Sequence, residues 1–266
     1  MALVHLPTGI VHRNAALAYR GGSFRDKREF TMSSVLIRHP RGDLLLDTGF
    51  GRDIDQRIQI MPFWFRAVTH YTRLQSAAQQ LDRNGYDRKR LRAIVLTHAH
   101  WDHVSGLGEF PGTPVWVDKQ ERDFIAHGNF TADVARSIEN VHYEIYTFAG
   151  GPFLGFAASY DVYGDGSIVI VAASGHTPGS VIVFVTLPDG KRYAFVGDLA
   201  WQREGIQLRE ERPWFTRSSA DSDPAAVRAL LQRMSAIAAR FPELIVIPAH
   251  DLRAYATLPT LDPQRP

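Results

Sequence analysis

Four of the apolar, β-branched runs in this chain carry, at or near their ends, a side chain that can bind a metal ion. DLLLDTG at 43–49 contains Asp47, RAIVLTH at 92–98 ends in His98, RYAFVGD at 192–198 ends in Asp198, and LIVIPAH at 244–250 ends in His250. Strand ends deliver side chains to one edge of a rigid scaffold, where loops leave them open to a substrate. Further runs of the same kind are SSVLIRH at 33–39, PVWVD at 114–118, SIVIVAAS at 167–174 and SVIVFVTL at 180–187. Short apolar runs bounded by Gly, Pro and Asp read as strands buried on both faces or nearly so.

Helical patterns lie between them. From Pro224 to Phe241 the residues Val227, Leu230, Leu231, Met234, Ile237, Ala238 and Phe241 share one face, with Asp223 as N-cap and Pro224 at the first helical position. A shorter helix is expected over 75–84, closing at Gly85, and another over about 119–126. Strand-rich halves with helices between them predict an α/β architecture, two sheets packed as a sandwich with helices on the outer faces. No repeat at a fixed period and no low-complexity linker is visible. Ala149–Gly155 is the nearest thing to a boundary, and residues 1–266 are read as one domain.

The densest ligand cluster is Thr97-His98-Ala99-His100-Trp101-Asp102-His103. Three imidazoles and a carboxylate so close together point in different directions, so they feed two neighbouring ions more readily than one. The chain has no cysteine, which excludes disulfides and thiolate sites and leaves imidazole and carboxylate as donors. That donor set suits zinc first, with iron, manganese or cobalt as alternatives. The formal net charge of +2, from 30 basic and 28 acidic residues, has no dense basic run, so no nucleic-acid partner is expected. The apolar runs near the N-terminus are broken by Pro7, Arg13 and Arg20, which predicts no signal peptide and a cytoplasmic protein. No stretch approaches the ~20 apolar residues of a membrane span, so no membrane partner is expected.

The string H-x-H-x-D-H at 98–103 resembles the signature of the metallo-β-lactamase superfamily, and the remaining superfamily motifs follow in order. They are Asp47 in Leu46-Asp47-Thr48-Gly49, His176 in Gly175-His176-Thr177-Pro178-Gly179-Ser180, Asp198 in Val196-Gly197-Asp198, and His250 in Pro248-Ala249-His250-Asp251. The resemblance spans residues 33 to 251. It implies the αβ/βα sandwich of that superfamily, two mixed β-sheets flanked by helices. It also implies two divalent metal ions. His98, His100 and His176 would hold the first; Asp102, His103 and His250 the second; Asp198 would bridge both together with a water or hydroxide. Asp47 has no vacancy in that scheme and is expected to orient a ligand by hydrogen bonding; a turn-forming Asp is the compatible alternative. Two cations lower the pKa of a shared water and polarise a carbonyl or phosphoryl oxygen. Asp198 and Asp102 are the catalytic assignments, Asp102 or a metal-held water protonating the leaving group. The other histidines, His5, His12, His39, His70, His127 and His142, read as surface or core residues. Trp101 either lines the pocket or packs under the loop.

Within the superfamily the chain most resembles the N-acyl homoserine lactonases. It lacks the cysteine ligand of subclass B1 β-lactamases, and its His250-Asp251 ending, its size and its long lead before Asp47 are similar to the lactonase group. Such lactonases commonly place a tyrosine three residues after the bridging aspartate, where it helps hold the lactone carbonyl; here that position is Trp201. The aromatic segment Phe63, Trp64 and Phe65 is a candidate wall for an acyl chain, against the reading of a buried helix face or a homodimer contact. Trp214-Phe215 presents the same choice. The expected activity is opening of a lactone or similar small ester. Hydrolysis of a β-lactam, an organophosphate triester or a glutathione thioester, and iron-dependent persulfide dioxygenation, are the alternatives. Flavodiiron chemistry is disfavoured because His100 stands where a Glu is usual, and tRNA maturation because no basic arm or added module is visible.

Overall fold

A computed structural model describes residues 1–261. The first sheet contains β1 (Ala2–Asn14), β2 (Lys27–Arg38), β3 (Asp43–Leu46), β4 (Tyr71–Arg73), β5 (Leu91–Val95), β6 (Val115–Val117) and β7 (Tyr143–Ile145). Their spatial order is β4-β1-β2-β3-β5-β6-β7. The first four are joined antiparallel and β3, β5, β6 and β7 run parallel. The second sheet contains β8 (Tyr160–Asp161), β9 (Ile168–Ala172), β10 (Val181–Thr186), β11 (Arg192–Phe195) and β12 (Leu244–Ile247), ordered β12-β11-β10-β9-β8. It is antiparallel except for the β11–β12 pair. Both sheets are therefore mixed.

The alternation of side chains along each strand divides the apolar residues into three layers. Val35, Ile37, Leu44, Leu46 and Val95 of the first sheet pack against Ile168, Ile170, Val183, Phe195 and Ile247 of the second. Their strand neighbours Leu36, Leu45 and Ile94 face outward onto helical residues such as Leu81, Val104 and Ile125. On the far side, Val169, Val171, Ile182 and Phe184 meet Val227, Leu231 and Met234 of the Pro224–Arg240 helix. Because helices cover both outer faces, the central strands are apolar on both sides, which is why they read as continuous runs. Each such side chain removed from water contributes about 1.5–3 kcal/mol.

The local signals behave as their chemistry requires. The Asp223 side chain accepts from the amides of Ala225 and Ala226 at the start of the Pro224–Arg240 helix. Ser76 and Gln79 form a capping box on the Ala77–Arg83 helix, and Gly85 continues with φ +65°. The helix expected near 119 runs Lys119–His127. The 149–155 segment connects the last strand of the first sheet to the second. Strand β1 is the main element that the apolar-run pattern passes over. Its thirteen residues contain Pro7, accommodated at a register shift between Pro7 and Gly9. Among the described residues, no helix is long and apolar enough to cross a membrane.

Candidate metal centre

Strand ends from both sheets converge at one edge of the sandwich. The first sheet contributes Asp47, just after β3, and the His98–His103 segment after β5; the second contributes His176 between β9 and β10, Asp198 after β11, and His250 after β12. Thr97 stitches the two together. Its carbonyl accepts from the Val181 amide at 3.0 Å, while its own amide and hydroxyl donate to the two oxygens of Asp47, each at 2.7 Å. Asp47 sits at φ +54°, a left-handed backbone that Asp tolerates better than most residues. That turn lets one Asp47 oxygen also meet His103 Nδ1 at 2.8 Å. The turn and the hydrogen bond coexist in the same residue.

Seven side chains meet in two groups. His98, His100, His176 and Asp198 form one, and Asp102, His103 and His250 form the other, with the ligand-type atoms of each lying within 4.8 Å of one another. All seven are buried. Asp198 belongs to both by geometry. Its Oδ2 lies 3.3 Å from His176 Nε2 and 3.9 Å from His98 Nε2. Its Oδ1 lies 3.3 Å from His103 Nε2 and 3.0 Å from His250 Nε2. His250 Nε2 is also 3.5 Å from Asp102 Oδ2.

The far nitrogens of three rings are tied down, so that Nε2 faces the centre. His103 Nδ1 is held by Asp47, His176 Nδ1 by Asp221 at 2.8 Å, and His250 Nδ1 by the carbonyl of Thr31 at 2.9 Å. A ring whose Nδ1 donates to a carbonyl or carboxylate presents a lone pair on Nε2. The buried Nε2 atoms of His98, His103 and His176, and Oδ1 of Asp198, have no hydrogen-bond partner. Buried polar atoms are ordinarily satisfied, and unpartnered lone-pair atoms of this kind, gathered in two groups, fit a pair of divalent cations. Burial and the neighbouring imidazoles hold His98 and His100 well below the ordinary histidine range, the neutral state a cation requires. At His103 burial acts the same way, but the carboxylates of Asp47, Asp198 and Asp102 outweigh it and raise the ring, so a cation there competes with a proton.

The metallo-beta-lactamase superfamily pattern matches residues 29–250. The chain belongs to that superfamily. It is 28% identical to a probable metallo-hydrolase of Mycobacterium tuberculosis, over 83% of this chain and 74% of the relative. It is 26% identical to the N-acyl homoserine lactonase AttM of Agrobacterium fabrum, over 86% of this chain and 84% of that one. Among solved structures, an N-acyl homoserine lactone hydrolase with N-hexanoyl-L-homoserine at its catalytic metal centre superposes with a TM-score of 0.76. That likeness covers 98% of both chains at 19% identity and speaks to the fold.

Some supporting residues carry no local signal in the sequence. Glu121, in the Lys119–His127 helix, is fully buried and clamps both loops of the first group. It accepts from the Ala99 amide at 2.6 Å, the Thr177 hydroxyl at 2.6 Å and the Gly179 amide at 3.0 Å. Burial pushes its carboxyl up to about 7 against the pull of those donors. Gly179 makes the approach feasible, since a Cβ there would lie 2.1 Å from the Glu121 nitrogen. Glu121→Gln places an amide N–H against one of these donors, a mismatch of about 1–3 kcal/mol. The expected result is a melting temperature lower by several degrees and metal affinity reduced about 10-fold or more, read by thermal denaturation and chelator competition. Unchanged values in both would remove Glu121 from the support of the site. The second such residue is Asp221. Burial would raise its carboxyl, but Arg212 and His176 outweigh burial and keep it low.

The aromatic candidates separate. Trp101 is buried beneath the loop against Phe50 at 5.2 Å and Phe65 at 5.6 Å. Phe65 thus abuts the ligand segment through Trp101. Phe63 and Trp64 are 77% and 53% exposed, which removes the buried-helix reading for them. Trp214 and Phe215 are likewise exposed. Trp201 lies at the centre, its indole N–H donating to Asp198 Oδ2 at 2.7 Å.

Proposed function

We propose that this chain is a dinuclear metal-dependent hydrolase that opens a lactone or similar small ester, with an N-acyl homoserine lactone as the favoured substrate class. The observation that carries the two-ion reading is Asp198, whose two oxygens address two separate donor groups. The resemblance to AttM over most of both chains supports the lactone. A pair of cations, zinc by preference for this nitrogen and oxygen donor set, supplies an activated water and a Lewis acid for the substrate carbonyl.

The chain's own residues do the rest. His98, His100 and His176 would hold one ion, Asp102, His103 and His250 the other, and Asp198 both. Asp47, Asp221 and the Thr31 carbonyl fix the rings so that little reorganisation accompanies the reaction. Asp102, in the Trp101–Val104 helix, or a metal-held water would return to the departing alkoxide the proton given up by the attacking water. The exposed faces of the Phe63–Val68 and Trp214–Ala220 helices offer apolar surface for an acyl chain or for a second copy of the chain.

A substrate panel on purified, metal-quantified protein tests this reading. It sets short- and long-chain acyl-homoserine lactones beside a simple aliphatic lactone, a β-lactam, a glutathione thioester and an aryl phosphotriester. Lactones are expected to turn over far faster than the others. Inert lactones alongside rapid turnover of a thioester or phosphotriester would reject the lactone assignment and leave the metal hydrolase.

A further inference from the structure

Asp198 is gripped from two sides by residues that are not among its candidate co-ligands. Its main-chain carbonyl accepts from Arg212 Nη1 at 2.7 Å, and Arg212 also bonds Asp221, the carboxylate behind His176. Its side chain is held by Trp201, whose Nε1–H reaches Oδ2 at 2.7 Å. The indole itself has little freedom. The Arg212 guanidinium lies 5.1 Å from its ring centroid, and Phe30 and His250 meet it edge-on at 6.1 and 6.2 Å.

An indole has a single donor and no acceptor. In this arrangement the donor is already engaged, and it is engaged on one oxygen only. Oδ2, which faces His98 and His176, carries the indole bond; Oδ1, which faces His103 and His250, has no hydrogen-bond partner. We propose that Trp201 is a positioning residue for Asp198, fixing the carboxylate so that Oδ2 is presented to the His98, His100 and His176 group. It thereby supports metal retention at that group in preference to the other. This rests on the two-cation reading above. It assigns the indole N–H to the protein's own carboxylate, not to the substrate's carbonyl oxygen.

Trp201→Phe keeps an aromatic ring on the side of Arg212 and Phe30 while removing the donor together with part of the ring's volume. The experiment strips wild type and variant with a chelator, then titrates each with Zn²⁺ alone against a chromophoric competitor that resolves two binding steps. The variant is expected to lose about 10–100-fold in one step and less than about 3-fold in the other. Tryptophan emission supplies an independent signature. Zinc addition should change the emission of the wild type, and the part of that change belonging to Trp201 should be missing from the variant.

Two equal zinc affinities in wild type and variant, with only the KM for a lactone raised, would overturn the proposal and give the N–H to the substrate. Equal weakening of both steps together with a lowered melting temperature would also overturn it, reducing Trp201 to packing. Fewer than two zinc ions bound by the wild type would instead bring down the two-cation reading itself, and this proposal with it.

Discussion

Asp198→Ala is expected to bind at least one metal ion fewer than the unaltered chain and to lose hydrolysis by roughly 10³-fold or more. The size follows from what the side chain touches. Its oxygens lie 3.0 to 3.9 Å from four imidazole nitrogens drawn from both donor groups, so on the proposed two-cation reading truncation removes a ligand from each site at once. What remains is an array of buried imidazoles without their shared anion, which raises the electrostatic cost of seating two dications side by side. Asp198→Asn separates charge from shape, because the amide retains one ligating oxygen and loses the negative charge. It should fall between alanine and wild type in metal content. Metal content is read by elemental analysis of the purified protein, and rate by hydrolysis of the best substrate. Two ions retained with full activity in Asp198→Ala would end the assignment of Asp198 as the ligand shared by both ions.

The parts of the fold and centre that were legible in the sequence share a physical cause. Strands β3, β5, β9, β10, β11 and β12 are covered on both faces, so their burial is written as unbroken apolar runs. The ligand types at their ends stand out because histidine and aspartate there interrupt such runs. Glu121 was not legible as a clamp, since KQERD in a short helix resembles a solvated face. Its burial comes from the Gly175–Ser180 loop, more than fifty residues away, closing over it. Asp221 hides in the same way, within a stretch of small polar residues next to the Asp223 N-cap, and only the return of the chain to His176 gives it a role. Strand β1 was obscured by Pro7 and by isolated polar residues, which a long antiparallel partner tolerates through a register shift. Trp201 was conspicuous, but its single donor could have faced either substrate or carboxylate, and only tertiary geometry decides that.

Metal removal should lower thermal stability by roughly 10 °C or more. Each ion bound to the native state alone contributes about 4 kcal/mol when its concentration is a thousandfold above Kd. For a domain of this size one kcal/mol moves the midpoint by about 2–4 °C. The difference between zinc-loaded and chelated protein should also shrink on acidification, and the sign has two sources. In the chelated chain burial would lower His103 and His250, but facing carboxylates outweigh it and raise both. A raised histidine contributes stability below its unfolded pKa, about 6.5, and that contribution is lost as pH rises through the folded value. The chelated protein thus gains from acid at these two rings. The loaded protein loses, because the same nitrogens must be deprotonated to hold a cation. Scanning calorimetry of loaded and chelated protein from pH 8 to pH 5 measures the gap directly. A gap that stayed constant over that range would mean that neither His103 nor His250 exchanges a proton for the metal.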